Sequence, residues 1–103
     1  MADGRDQEAT SGVPQARLNI RSEDLGAELL LYDEQERQYH LLNSTARLVW
    51  QHCDGHHDLS EITALVAEHY PTVPRERIAQ DTRATLQTLA DKDLIVWMNE
   101  EAS

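Results

Sequence analysis

The sequence predicts a small α+β domain, in which a three-stranded antiparallel sheet is followed by three helices. Short runs of alternating apolar and polar residues, typical of half-buried strands, lie before residue 43. After that residue, apolar residues recur at helical spacing in three stretches, and turn residues separate the stretches. A strand followed by two helices that meet at a tight corner is typical of a winged helix-turn-helix, so we expect a domain of that kind.

Length and composition predict one domain with polar tails. A chain of 103 residues is long enough to bury a modest core without disulfides. Residues 1–16 include Gly4, Gly12 and Pro14 and almost no large apolar side chain, so we expect a disordered N-terminal tail. We place the domain at residues 17–98 and a C-terminal tail at residues 99–103.

Three runs predict the strands: the residues around Leu18 and Ile20, the run from Gly26 to Tyr32, and Gln38–Leu42. The polar connection Asp33–Arg37 contains no Gly or Pro, so it is longer than a two-residue hairpin turn. Three strands in succession form an antiparallel meander, whose edge strands expose unpaired N–H and C=O groups. We expect the third strand to offer such an edge.

A tight corner follows the third strand. Asn43 is a good N-cap for the first helix, whose buried face comprises Ala46, Val49, Trp50 and Cys53. Gly55 is predicted to end this helix, because glycine adopts the left-handed C′ conformation without a Cβ penalty. Asp58 and Glu61 have the spacing of a capping box and begin the second helix.

The second and third helices have clear apolar faces. That of the second comprises Leu59, Ile62, Leu65, Val66 and Tyr70, and Pro71 prevents its continuation. Pro74 begins the third helix, whose core side comprises Ile78, Thr82, Leu86 and Leu89. The apolar run from Leu94 to Trp97 is predicted to form a wing-like strand or an extended segment packed on the domain.

The residues at this corner resemble those of a known protein family. The residues Leu42-Asn43-x-Thr45-Ala46-x-x-Val49-Trp50-x-x-Cys53-Asp54-Gly55, followed by Glu61-Ile62, closely resemble the PqqD family, and Asp81, Leu86 and Leu89 also fit its pattern. The resemblance runs from about Leu18 to about Ile95. It implies a peptide chaperone that binds the leader segment of a ribosomally made precursor peptide as an added strand. It also implies a separate modifying enzyme as partner, often a radical S-adenosylmethionine enzyme, or a peptidase or cyclase.

A peptide groove is predicted between the third strand and the third helix. Its strand wall comprises Gln38, Tyr39, His40, Leu41 and Leu42, and its helix wall Ala79, Arg83, Leu86 and Ala90, with Arg75 nearby. Small side chains leave room for peptide anchors, and the two arginines can pair with a peptide carboxylate. On pattern alone we favour simple packing of this flank on the sheet or exposure to water. The PqqD resemblance favours the groove.

The charge balance excludes one broad class of function. The net charge is −10, with 19 acidic residues against 9 basic ones, whereas nucleic-acid binders neutralise phosphates with Lys and Arg. We therefore expect no nucleic-acid partner, although a winged-helix DNA-binding regulator remains an alternative because of the helical layout.

A metal-binding protein that uses Cys53, His56 and His57 is a further alternative, because thiolate and imidazole groups are preferred zinc ligands. A structural site needs four converging groups, however, and Cys53 is predicted to face the core. The neighbouring Asp54 and Asp58 raise the pKa of a thiol, and the glycines form no phosphate-binding loop. We expect no cofactor and no enzymatic activity of the chain by itself.

The remaining expectations concern location and assembly. The single cysteine cannot form an internal disulfide and suggests a reducing compartment. No apolar run is long enough to span a bilayer or to serve as a signal peptide, so we expect a cytoplasmic protein without membrane contact. The exposed third strand leaves two states open, a monomer or an edge-paired homodimer.

Overall fold

The computed structural model describes residues 12–98. Eight elements follow one another: β1 (Val13–Ala16), β2 (Ile20–Asp24), β3 (Leu29–Asp33), β4 (Gln38–Leu42), α1 (Ser44–Gln51), α2 (Leu59–His69), α3 (Arg75–Asp91) and β5 (Ile95–Met98). Strands β2, β3 and β4 form an antiparallel sheet in that order, and β1 pairs with β5 in a separate two-stranded sheet. The predicted α+β fold, with a three-stranded sheet followed by three helices, is confirmed.

The three-stranded sheet buries one of its faces against the helices. Leu29, Leu31 and Leu42 lie on this face and belong to a core that α1, α2 and α3 complete. Alternate residues of the same strands point the other way, so that Leu30 and Tyr32 are only half-buried. Strand β4 has the bounds predicted for it from the sequence.

The turn between β3 and β4 is organised by the buried carboxylate of Asp33. Its Oδ1 accepts hydrogen bonds from the Asn19 side chain at 2.8 Å and from the backbone N–H groups of Gln35 and Glu36 at 2.9 and 3.1 Å. The bond from Glu36 is the largest cause that holds the pKa of Asp33 below its ordinary value. The connection spans four residues, 34–37, and is longer than a two-residue turn, as predicted.

Arg47 ties α1 to the connection between β2 and β3. Its guanidinium donates to both carboxylate oxygens of Asp24 at 2.9 and 2.8 Å, and to the carbonyl oxygens of Gly26 and Glu28 at 2.7 and 3.1 Å. The hydrogen bond from Arg47 is the largest cause that lowers the pKa of Asp24. This contact joins α1 to the end of the sheet at which β4 also finishes, since Leu29 pairs with both Asp24 and Leu42. It helps to fix the orientation of the helix.

The two predicted helix starts at the corner are confirmed, but the predicted end of α1 is wrong. Asn43 accepts from the backbone N–H of Ala46 at 2.9 Å, and the reciprocal capping box of Asp58 and Glu61 is present. The helix ends at Gln51, with His52 as its C-cap. Gly55 has a φ of 82° and belongs to the turn that follows.

Cys53 therefore lies beyond the end of α1, although its predicted burial is confirmed, with 3% of its surface exposed. Its Sγ contacts the carbonyl oxygen of Val49 at 3.3 Å. The corner also holds β1: the N–H of Ala16 donates to the carbonyl of Cys53 at 2.9 Å, and the N–H of Gly55 donates to the carbonyl of Pro14 at 3.0 Å.

Strand β1 corrects the prediction of a disordered tail over residues 1–16. Val13 and Pro14 are buried, and all four strand residues pair with β5. The sequence signal was weak because the strand contains one large apolar residue, and its partner lies at the other end of the chain. The predicted boundary at residue 17 therefore falls too late. The rest of that prediction, for residues 1–11, and the predicted C-terminal tail at 99–103 lie outside the described residues.

The first strand of the main sheet also lies later than predicted. Leu18 is 97% exposed, because it sits in a turn that the bond from the Ile20 N–H to the Arg17 carbonyl closes at 3.3 Å. Strand β2 begins at Ile20, which packs against the core, and ends at Asp24. The apolar patterns of the later elements predicted their positions better than that of the first strand. The predicted core side of α3, comprising Ile78, Thr82, Leu86 and Leu89, is buried as expected, and Ile95–Met98 is a strand.

Thr82 leads to a stability prediction. It is fully buried, and its Oγ1 has no hydrogen-bond partner within residues 12–98. A buried hydroxyl without a hydrogen-bond partner has lost its bonds to water and gained none within the protein, which destabilises the folded state. We expect Thr82→Val, which replaces the hydroxyl by a methyl group, to raise the free energy of unfolding by about 1 kcal/mol in urea denaturation.

Thr63 provides the matched control. It is also buried in a helix, but its Oγ1 donates to the Leu59 carbonyl at 2.8 Å. Thr63→Val removes a hydrogen bond that is made, so it is expected to be neutral or to lower the free energy of unfolding by up to about 1 kcal/mol. Equal destabilisation by both substitutions would contradict the assignment of Thr82 as unpartnered.

Candidate functional site

The edge strand β4 is the structural feature from which the candidate site is built. Within the described residues, the sheet ends at β2 on one side and at β4 on the other. Three of the five residues of β2 carry formal charges, which is a common way to protect an edge from pairing. Strand β4, Gln-Tyr-His-Leu-Leu, carries no carboxylate, Arg or Lys. Of the two edges, β4 is the one suited to accept a further strand.

A cleft of about 190 Å³ lies between β4 and α3. Its lining combines the end of β4 (His40, Leu41, Leu42 and Asn43), Ala46 of α1, and residues along α3 and its C-cap (Thr85, Thr88, Leu89 and Lys92). The buried side chains of Leu42 and Leu89 supply an apolar floor. The hydroxyl groups of the threonines supply a narrow polar wall. An apolar side chain of an extended peptide along β4 can enter this cleft.

The cleft differs in charge from the rest of the chain. Lys92 is the only lysine in the sequence, and it lines the cleft, whereas no carboxylate does. The protein as a whole has a net charge of −10. A single cation at the end of an otherwise uncharged cleft favours a ligand that is neutral or acidic at that point.

The helix residues that line the cleft are not the ones predicted to form the helix wall of a peptide groove. Thr85, Thr88 and Lys92 lie on one flank of the buried line of α3, and the predicted residues Ala79, Arg83 and Ala90 lie on the opposite flank, since successive residues are about 100° apart. Leu86 is 1% exposed and belongs to the core. Neither these four residues nor Arg75 is among the residues that line the cleft. The cleft beside β4 is therefore lined by the flank of α3 opposite to the one predicted.

The sequence contained one signal for the flank that lines the cleft. Asp81 fits the pattern of the family that the chain resembles, and it precedes Thr85 by one helical turn. In the structure Asp81 forms an ion pair with Arg77, at 3.6 Å, and lies beside a small cavity that Thr45 and Tyr70 also line. Small residues occur on both flanks of α3, so side-chain size could not distinguish them.

The cysteine and histidine residues at the corner do not form a metal site in the described structure. Asp54 accepts from the backbone N–H of His56 at 2.9 Å and contacts His57 Nδ1 at 3.0 Å. Within residues 12–98, no group of three His, Cys, Asp or Glu side chains is placed to hold a metal ion. The contacts of Asp54 therefore organise the turn, which is the structural role expected of an Asp at such a position.

Cys53 is poorly suited to act as a nucleophile. Burial, with a smaller contribution from the charge of Asp54, raises the pKa of its thiol to about 12. The thiolate is the reactive form of cysteine, so almost none is present near neutral pH. The partly exposed, electropositive surroundings of reactive cysteines are not found here.

The family assignment rests on a match over most of the domain. The family described as Coenzyme PQQ synthesis protein D (PqqD) matches residues 28–95, which is more than half of the 103 residues. This chain belongs to the PqqD family. The matched region runs from the start of β3 to the start of β5, so it contains β4, α3 and the cleft between them. No curated protein matches the chain.

Solved structures share the PqqD-family fold of this chain. TbiB1, in complex with the TbiA(beta) leader peptide, is 23% identical with a TM-score of 0.71, and the match covers 79% of this chain and 93% of that one. A lasso peptide synthetase B1, complexed with its leader peptide, is 22% identical with a TM-score of 0.70 over 81% of this chain and 96% of that one.

The fold also occurs inside a much larger protein. The heterocyclase TruD is 20% identical with a TM-score of 0.57, and the match covers 88% of this chain but 12% of TruD. At such identities the comparisons establish the fold. For the PqqD-family chain described here, no helix within residues 12–98 has the length and apolar character needed to cross a membrane.

The raised pKa of Cys53 predicts its reactivity. At pH 8 we expect the native thiol to react with Ellman's reagent on the order of a thousandfold more slowly than the thiol of the urea-unfolded chain, whose pKa is about 8.5. Absorbance at the wavelength of the released thiolate measures both rates. The Cys53→Ser variant supplies the blank. Reaction of the native protein at the unfolded rate would show that Cys53 is accessible and ionised.

Proposed function

We propose that this protein binds the leader segment of a ribosomally synthesised precursor peptide by strand addition along β4 and presents the peptide to a separate modifying enzyme. The observation that carries the proposal is the uncharged edge of β4 beside the cleft that α3 completes. Membership of the PqqD family supports it, and so do the two proteins of the same fold whose structures contain leader peptides.

Strand addition needs both parts of this site. Main-chain hydrogen bonds along β4 contribute about 0.5–1.5 kcal/mol each, whereas association costs about 4–15 kcal/mol in lost freedom. A five-residue edge therefore holds a flexible peptide only with side-chain anchors. Burial of a Leu- or Ile-sized side chain contributes about 1.5–3 kcal/mol, and the cleft over Leu42 and Leu89 provides a place for one.

The residues proposed for peptide binding follow from this geometry. Gln38, Tyr39, His40, Leu41 and Leu42 provide the strand edge, as predicted from the sequence. On α3, Thr85, Thr88, Leu89 and Lys92 replace the predicted flank. Lys92 is placed to attract a peptide carboxylate, which is the role that the sequence suggested for Arg83 and Arg75.

The benefit to the modifying enzyme is an increase in effective concentration. A leader peptide held beside an active site converts the encounter with the core peptide into an intramolecular event. In TruD, a region with this fold is part of the same chain as the rest of the heterocyclase. For the protein described here we propose a non-covalent partner of the radical S-adenosylmethionine, peptidase or cyclase type, with the chain itself acting as a binding module without a catalytic role.

The wall of the cleft leads to a prediction about peptide affinity. A synthetic leader peptide from the precursor gene nearest to this gene is expected to shift the amide resonances of Gln38–Leu42 and of Thr85–Lys92 in isotope-labelled protein. Thr85→Arg places a long side chain in a cleft of about 190 Å³ and should weaken peptide binding at least tenfold, which is about 1.4 kcal/mol. Fluorescence anisotropy of a labelled peptide measures the affinity.

Ala84→Arg is the matched control, because Ala84 is the exposed neighbour of Thr85 and is not among the residues that line the cleft. It should leave the affinity unchanged, and so should Arg83→Glu on the flank originally predicted. A large loss of affinity in Arg83→Glu, with none in Thr85→Arg, would show that the peptide binds along the flank of α3 that the sequence predicted. No amide shift along β4 at saturating peptide would remove strand addition as the mode of binding.

A further inference from the structure

The outer face of the three-stranded sheet points away from the helices, and of its residues only Leu41 is among those that line the cleft. Two rows of cross-strand neighbours form the outer face: Arg21, Tyr32 and Tyr39 in one row, and Glu23, Leu30 and Leu41 in the other. The rings of Tyr32 and Tyr39 lie 4.7 Å apart. A hollow of about 360 Å³ lies over this face.

Exposure on this outer face increases toward the free edge. Leu30 and Tyr32 on the central strand are half-buried, whereas Tyr39 and Leu41 on β4 are 67% and 57% exposed. Arg21, at the opposite end of its row, forms an ion pair with Glu34 at 3.0 Å. The apolar part of the outer face that lacks a neighbour is therefore the part that a strand added to β4 would cover.

Successive residues of a strand added to β4 would stand in turn on the helix side and on the outer face of the sheet. Side chains alternate along a strand, and directly opposite residues on adjacent strands have Cβ atoms about 4.5–5.5 Å apart. A peptide residue opposite His40 stands on the helix side of the sheet and enters the cleft. The residues before and after it stand opposite Tyr39 and Leu41, and extend the two rows of the outer face.

We infer, on the basis of the proposed function, that the leader peptide is recognised on both faces of the extended sheet, through three consecutive apolar or aromatic residues. The middle residue fills the cleft between β4 and α3, and its two neighbours pack against Tyr39 and Leu41. The ligand is thus an extended segment with an uninterrupted apolar triplet. A strand recognised only by the cleft would instead need one apolar residue, with no apolar requirement at the two positions beside it.

The charge of the chain favours a peptide over a second copy as the occupant of the outer face. Two copies that met through this face would bring together two chains with a charge of −10 each, and Glu23 and Glu34 lie beside the apolar rows. A short peptide strand added to β4 covers Tyr39 and Leu41 at a distance from Glu23, because β3 and β4 lie between, and Glu34 is already paired with Arg21.

A serine scan of the leader peptide tests the triplet directly. Each residue of the synthetic leader is replaced by Ser in turn, and the affinity for the full chain is measured by anisotropy. We expect a loss at three consecutive positions, roughly tenfold or more at the middle one and about three- to tenfold at each neighbour. A loss confined to a single position, or to alternate positions, would overturn recognition by the outer face.

Tyr39→Thr is the corresponding change in the protein, because Tyr39 does not line the cleft and threonine retains a high strand propensity. We expect it to weaken peptide binding about three- to tenfold while the far-UV circular dichroism spectrum stays that of the folded chain. Met98→Thr is the control, since Met98 is also exposed, at 44%, but lies on β5 in the other sheet. It should bind peptide as the unmodified chain does.

The same measurements separate the two proposals. Unchanged affinity in Tyr39→Thr together with a tenfold loss in Thr85→Arg would overturn the inference about the outer face and leave leader-peptide binding in place. Failure of the unmodified chain to bind the leader peptide at all would overturn the proposed function, and the inference with it.

Discussion

The change from strand to helix at Asn43 is the constraint on which the rest of the structure depends. The Asn43 side chain accepts from the N–H of Ala46, so α1 begins one residue after β4 ends. The chain therefore leaves the sheet at this point, and no following segment within residues 12–98 continues to pair with β4. The same corner places α1 against α3, which brings the C-terminal half of α3 beside the strand. The free edge and the cleft share this one local cause.

Two polar contacts hold the sheet in the orientation that the corner requires. Arg47 binds the β2–β3 connection, and Asp33 organises the β3–β4 turn, so each end of the hairpin is fixed by a hydrogen-bonded carboxylate. Both carboxylates have a pKa below the ordinary value of 3.8. A lowered pKa in the folded state contributes stability that is present above the unfolded pKa and is lost as the pH falls through the folded value. Near neutral pH both contacts are therefore fully formed.

Features that depend on residues close together in the sequence were predicted correctly, whereas features that depend on distant residues were not. The bounds of β4, the cap at Asn43 and the capping box at Asp58 depend on residues within one turn of each other, and all were predicted. Strand β1 depends on β5, roughly eighty residues later, and was missed. The buried line of α3 follows from its own periodicity. Its flank toward β4 depends on how two other helices pack, and no local pattern contains that information.

Gly55 shows how a correct local preference can be assigned to the wrong place. Its positive φ was expected at the end of α1, but the structure uses it in the turn where β1 approaches. A Cβ added at this position would lie 3.0 Å from Oε1 of Gln15. The close approach of a strand that the sequence did not reveal is thus a second reason for glycine at this position. The positive φ alone does not distinguish a helix end from such a turn.

An exposed edge without formal charge is ordinarily a route to self-association, which natural sheets suppress with charged residues at the edge. In this chain β2 carries such charges and β4 does not. The protection of β4 is instead distributed over the whole surface, because two copies that pair edge to edge bring together two charges of −10. Salt limits that repulsion to a range of about 8–10 Å, so it opposes the close contact of two acidic domains and hardly affects a short neutral peptide. Net acidity thus permits β4 to remain open for a peptide strand while it disfavours the edge-paired homodimer.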